Sequence, residues 1–152
     1  MKALIFHIGP DRYALRLRDV VRVLPLLALK RLPLAPDTVA GLMDYHGAAV
    51  PVVDLCRLAG VAPAQAHFDT RIVLVDYAGP DGAPHALGLL AERVRGIGQL
   101  APAALADSGV AGPSFLGQVA SDGDGIIQLV EPAQLLTDAL RAILFQPAGS
   151  AP

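Results

Sequence analysis

The sequence predicts an all-β fold closed by a single helix, and three observations lead there. The hydrophobic fraction is 53%, but it is broken into runs of about four to eight residues punctuated by Gly and Pro, as short strands are. Two Gly-Pro-Asp sequences, at Gly9 and Gly79, lie between such runs; Pro presets φ there and Gly or Asp accepts a tight turn. Only one stretch, 132–145, carries apolar residues at helical spacing.

In chain order, strands are expected at 3–8 and 13–17, then in a broken run over 20–34, and next at 48–53, 71–77 and 86–90. Further runs at 94–100, 115–120 and 126–130 continue the pattern. Short helical turns fit 36–39 and 55–58. The turn Asp122-Gly123-Asp124-Gly125 reads as a hairpin; it lacks the length and closing Glu of a calcium loop. Strands this short suggest small barrels or a sandwich, not a parallel α/β sheet. In the last segment Leu135, Leu136, Ala139, Leu140, Ile143 and Leu144 share one helical face, and Pro132 suits the first helical position. A helix over 132–145 packed against the strands is expected, with a frayed tail from Gln146 and residues 147–152 flexible.

The 152 residues suffice for one domain, read here as 1–146. An Ala- and Pro-rich stretch, 59–66, reads as a linker between two halves that echo each other. Gly9-Pro10-Asp11 with Ala14-Leu15 recurs as Gly79-Pro80-Asp81 with Ala86-Leu87, and Val52-Val53-Asp54-Leu55 recurs as Leu129-Val130-Glu131. The offset drifts from about 70 to about 77 residues, as a duplicated unit with loop insertions gives. Asp54 and Glu131 each end an apolar strand where an acid can cap a helix.

The formal charge of -2, with signs interspersed, gives no footprint for nucleic acid or an anionic membrane surface. No stretch approaches the roughly 20 apolar residues that cross a bilayer. The opening apolar run stops at Gly9-Pro10, too soon for a signal-peptide core, so the reading is cytoplasmic. The single Cys56 excludes an internal disulfide and reads as a small buried hydrophobe.

Catalytic patterns are missing. There is no phosphate loop, dinucleotide fingerprint or nucleophile elbow. His7, His46, His67 and His85 are scattered, and none pairs at the spacing that shares a metal. Asp54 and Asp76 read as a cap and a strand residue rather than a carboxylate pair. The expectation is no enzyme, no cofactor and no metal, with function carried by the surface.

One ordered series is specific. Phe6-x-Ile8-Gly9 leads to Tyr13-Ala14-Leu15, then Val20-Val21-Arg22-Val23-Leu24-Pro25. Leu32-Pro33-x-Ala35-Pro36-x-x-Val39-x-Gly41-Leu42 follows, then Gly47-x-x-Val50-Pro51-Val52-Val53-Asp54-Leu55. Arg71-Ile72-Val73-Leu74-Val75, Leu87-Gly88-Leu89-Leu90-Ala91-Glu92-x-Val94 and Ile126-Ile127-Gln128-Leu129-Val130 complete it. The series resembles the CheW-like family of bacterial chemotaxis coupling proteins. The resemblance implies two SH3-like five-stranded barrels, approximately 1–66 and 67–131, followed by the helix. It also implies an adaptor that binds the regulatory domain of a chemotaxis-type histidine kinase and the cytoplasmic tip of methyl-accepting receptors, within membrane receptor arrays.

By position, the resemblance places Val20, Arg22, Val39, Gly41, Leu42, His46, Gly47, Val50, Gly88, Leu89, Glu92 and Val94 at the receptor or kinase interface. Two residues depart from the family pattern: Arg22 stands where Glu is expected, and His46 where Arg usually precedes the Gly. An attractive pair in the family thus becomes Arg and His, which do not attract. Such single-domain variants resemble Wsp-type alternative-pathway couplers. The competing readings are a small-ligand binder using the cleft between the barrels, and a scaffold without a receptor partner; exposed strand edges also allow weak self-association.

Overall fold

The computed structural model describes residues 1–145. Among the described residues nine strands form: β1 (Lys2–Ile8), β2 (Asp11–Arg16), β3 (Arg22–Pro25), β4 (Val39–Tyr45), β5 (Ala48–Asp54), β6 (Arg71–Ala78), β7 (Pro84–Gln99), β8 (Leu116–Asp122) and β9 (Gly125–Val130). Two helices, α1 (Leu55–Leu58) and α2 (Asp138–Leu144), accompany them.

Strand alternation sorts the apolar residues into three cores. On β1, Leu4, Phe6 and Ile8 face a central core, while Ala3 and Ile5 face the opposite way. On β6, Val73, Val75 and Tyr77 join the central core, while Ile72 and Leu74 face a third cluster with Met43, Val50 and Val52. Two small barrels therefore each hold an interior, and the central core lies between them.

Barrel I runs in the order β7-β1-β2-β9-β8, and barrel II in the order β4-β5-β7-β6-β3. The long β7 serves both: 84–91 pairs with β6, and Glu92 to Gln99 pair with β1. Each barrel contains one parallel pairing, β2 with β9 and β5 with β7. Each is also bridged beyond its strands, Ala106 to Val119 in barrel I and Lys30 to Leu42 in barrel II.

The fold is thus the expected pair of five-stranded SH3-like barrels with a C-terminal helix, but the division at 1–66 and 67–131 is corrected. Strands β1 and β2 of the first half join β8 and β9 of the second, and β3, β4 and β5 join β6. The echo between halves is preserved in strand order, since the two Gly-Pro turns close β1–β2 and β6–β7 in equivalent places. The halves exchange strands because the edge left open by each leading hairpin is filled by strands of the other half.

Three local expectations also change. Residues 36–39 form a turn leading into β4, a strand the apolar runs did not reveal. The runs 86–90 and 94–100 are one strand. The segment 132–145 is split into a 3-10 turn, Pro132–Gln134, and α2, because Thr137 is extended and its side chain accepts a hydrogen bond from Leu140 N. Leu135, Leu136 and Leu140 are buried as expected, but Ala139 and Ile143 are exposed. The tail from Gln146 lies outside the described residues.

Asp54 caps α1 as expected: Oδ1 accepts from Cys56 N at 2.9 Å, and Oδ2 accepts from Ala64 N at 3.0 Å, which also ties down the linker. Glu131 is no cap. Its carboxylate instead meets Arg16 Nη1 at 2.7 Å, joining the ends of β2 and β9.

Candidate partner-docking surface

The β4–β5 hairpin turns on His46 and Gly47, between the paired Tyr45 and Ala48. A two-residue hairpin turn of this kind requires positive φ at both central residues, and the values are 52° and 84°. Asp44 Oδ1 accepts from Gly47 N at 2.9 Å and stiffens the turn. The His46 ring is exposed and lies edge-on to Tyr45, with centroids 4.4 Å apart. Beside the hairpin, Lys30, Leu42, Asp44, Gly47, Ala48 and Ala49 line a shallow groove of ≈ 220 Å³.

Gly41 makes the groove possible. A Cβ there would stand 2.5 Å from the Lys30 carbonyl oxygen, and Lys30 exchanges two 2.8 Å backbone hydrogen bonds with Leu42. Barrel II closes at this point only because the chains approach so closely.

The interface residues expected by resemblance divide by burial. Arg22, His46 and Gly47 are exposed; Val20, Val39, Leu42, Glu92 and Val94 are half-buried. Gly41, Val50, Gly88 and Leu89 are buried within the chain, so the side chains of Val50 and Leu89 serve the core rather than the surface. Val50 and Leu89 are core residues, while Gly88 lets Val52 and Ile72 pack over the strand.

Arg22 and His46 do not form a pair. Arg22 stands on β3 opposite Leu74, between exposed Val21 and Val23. Among the described residues no hydrogen bond or ion pair engages its guanidinium.

Glu92 belongs to a partly buried network. It accepts from Cys56 Sγ at 3.3 Å and meets His67 Nε2 at 3.1 Å. Burial, followed by this hydrogen bond, pushes the Cys56 thiol up to about 12, so it is a packed thiol and a poor nucleophile. Among the described residues no group of three His, Cys, Asp or Glu side chains converges as a metal site, and no helix is long and apolar enough to cross a membrane.

Residue-by-residue reading passed over Phe68, which is 96% exposed. Its only signal was an aromatic standing alone in the polar run His67-Phe68-Asp69-Thr70, outside any alternating strand.

The arrangement offers hydrogen-bonding edges, a shallow apolar groove and unpaired guanidinium groups, which are means of holding another protein. Comparison with known proteins agrees in kind. No curated protein matches the sequence. The crystal structure of the scaffolding protein TtCheW from Thermoanaerobacter tengcongensis is similar at a TM-score of 0.78 and 21% identity, covering 90% of this chain and 87% of that one. That likeness concerns the fold. The family model for the CheW-like domain matches residues 2–140, spanning both barrels and reaching into α2. With its two strand-sharing barrels and closing helix, the chain belongs to the CheW-like domain family.

Proposed function

We propose that this chain is a non-catalytic coupling adaptor. It holds the regulatory domain of a CheA-like histidine kinase to the cytoplasmic tip of a methyl-accepting receptor, in the cytoplasm beneath receptor arrays. The observation that carries this reading is the family match across both barrels, with Arg22, His46 and Gly47 all presented to solvent. Two barrels locked through one shared strand make a single body with more than one docking face. Such a body shifts a receptor–kinase equilibrium if its contacts are better satisfied in one arrangement, and coupling of ~1 to 3 kcal/mol is typical.

The test is co-elution and calorimetry of the purified chain with the kinase regulatory domain and with a receptor cytoplasmic fragment, at moderate salt. Binding to both is expected; binding to neither overturns the reading. Arg22, exposed and without a partner, is assigned an acidic contact on the receptor. Arg22→Glu should therefore weaken receptor binding about tenfold, the scale of one charge-assisted contact. Unchanged affinity would show that Arg22 is a solvated surface residue.

A further inference from the structure

The chain crosses from its first half to its second over a very short span. On the near side, Ala59 N donates to Leu55 O, Gly60 N to Arg57 O and Val61 N to Cys56 O, each at 3.0 Å, so the backbone is tied to α1 as far as Val61. On the far side, Thr70 donates its hydroxyl to Gln65 O at 2.6 Å, Val94 N donates to Asp69 O at 2.9 Å and Arg95 Nε donates to Asp69 Oδ2 at 3.0 Å. His67 Nε2 meets the Glu92 carboxylate at 3.1 Å. From Gln65 onward the backbone therefore belongs to the second half. Ala62, Pro63 and Ala64 lie between the two, and among the described residues one hydrogen bond, from Ala64 N to Asp54 Oδ2 at 3.0 Å, holds them.

Ala62 and Pro63 are exposed and Ala64 is half-buried. Pro63 fixes its own φ and biases Ala62 toward extended backbone, so the crossover already suits an open arm. The contacts that join the halves do not depend on it. Strands β1 and β7, β2 and β9, β3 and β6, and β5 and β7 all pair across it. Phe6 and Val53 meet Val75 and Val130 in the central core, and Arg16 meets Glu131 at 2.7 Å. A second half supplied by another copy of the chain offers each of these contacts unchanged.

Closure within one chain and exchange between two chains thus differ only at the crossover and in concentration. A short flexible tether holds its two ends at an effective concentration on the order of millimolar, and another copy competes once its own concentration approaches that value. Short hinges favour exchange and longer ones favour closure; this hinge is Ala62 to Ala64. Each half alone contains only hairpins, which are marginal in water. A folding chain therefore stays open to capture until a second half arrives, its own or another's.

We propose that two copies of this chain form a reciprocally exchanged dimer, in which each first half, through Val61, closes on the other copy's second half, from Gln65. Both bodies of the dimer are complete pairs of barrels, joined by two opened crossovers. Every outward surface is displayed twice, the Arg22 strand and the His46–Gly47 turn included, so the dimer engages paired sites bivalently. The exchange itself does not rest on the coupling reading above.

The experiment unfolds the chain in urea and refolds it at about 1 μM, far below the effective concentration of the tether, and at about 1 mM, near it. Both samples are then brought to the same low concentration for gel filtration with light scattering. Dilute refolding should give monomer, and concentrated refolding a dimer that persists after dilution, because its release requires a body to unfold. Monomer from both samples overturns the proposal, and so does a dimer that dissociates at once on dilution, since that is a surface contact. Deleting Ala62 and Pro63 should lower the concentration of half-exchange about tenfold or more, and a Gly-Ser insertion at the same place should suppress the dimer; no response to either overturns the crossover as the hinge. Arg16→Glu and Glu131→Arg, refolded together at the higher concentration, test the topology. In an exchanged mixed dimer one body carries the ion pair with its signs reversed and the other carries it as in the native chain, whereas both bodies of either homodimer carry like charges. Native mass spectrometry should show the mixed dimer outnumbering each homodimer about tenfold. The roughly twofold ratio that random pairing of whole chains gives, in place of that excess, overturns reciprocal exchange.

Discussion

At the scale of single residues, the glycines and histidines carry the sharpest consequences. Gly41 faces backbone, which cannot yield, whereas Gly88 faces the methyls Val52 Cγ2 at 2.9 Å and Ile72 Cγ2 at 3.0 Å, which can shift slightly. Gly41→Ala should cost about 3 kcal/mol and open the Lys30–Leu42 bridge, while Gly88→Ala should cost about 1 to 2 kcal/mol. Urea unfolding of the two variants checks the order, and equal losses would refute the backbone argument. The His7 imidazole is held below its ordinary value, first by burial and then by Arg93, Arg95 and Arg12. The unfolded chain therefore binds a proton that the folded chain refuses. The stability His7 contributes is complete above about pH 6.5 and is lost as pH falls through the lower folded value. The carboxylates of Asp69, Asp81 and Asp122 are held low chiefly by Arg95, the Ala83 N–H and Arg12 respectively, and act in the same direction at lower pH. His7→Gln should flatten the urea midpoint just below pH 6.5, where a flat wild-type curve would exclude the effect. Much at this scale was legible: Asp54 as a cap and Cys56 as a packed thiol follow from residue type and place in the run. The exposed position of Phe68 was not, because exposure depends on what the rest of the chain leaves uncovered.

At the scale of elements, alternation of apolar residues revealed most strands, since a half-buried strand writes its burial into every second residue. It missed β4, where Gly41 and the turn before Val39 blur the alternation, and it divided β7 at the bulge, where Glu92 to Arg95 interrupt the apolar run. The C-terminal segment shows the opposite failure. Helical spacing ran through Thr137, but its hydroxyl offers the backbone a better partner than a continuous helix would. Helix α2 is short and gains little from its own hydrogen bonds, so its attachment depends on packing. Phe145 stacks on Tyr77 and His85 at 5.8 and 4.9 Å. The Tyr77 hydroxyl donates to Ala133 O and accepts from Leu136 N, holding the preceding turn. Thr137→Ala should cost about 1 kcal/mol, and Phe145→Ala about 3 kcal/mol or more. In Phe145→Ala, hydrogen exchange should rise first in α2 while β6 and β7 stay protected. Loss of protection throughout at the same rate would mean that the helix is integral to the barrels.

At the scale of the whole molecule, the decisive fact is which strands meet, and pairing across the chain leaves little local mark. The echo between halves was legible and suggested two barrels side by side. The structure keeps the echo but exchanges the strands, so within either half alone only hairpins remain: β1–β2 and β4–β5 in the first, β6–β7 and β8–β9 in the second. Isolated hairpins are marginal in water. Every other pairing, β1 with β7, β2 with β9, β3 with β6 and β5 with β7, crosses the linker. The central core likewise mixes Phe6 and Val53 with Val75 and Val130. The linker itself is largely exposed, held mainly through Ala64. Fragments 1–62 and 63–152 should therefore each be unfolded alone and assemble into a folded heterodimer when mixed. The assembled pair should be less stable than the intact chain and dependent on concentration, because closure of the linker no longer supplies the encounter. Circular dichroism and gel filtration of the separate and mixed fragments decide the matter. Cooperative unfolding of either fragment alone would mean that a half carries a barrel of its own. Assembly of the pair, with receptor-fragment binding restored at the same time, would tie the docking surface to the interlocked body rather than to either half.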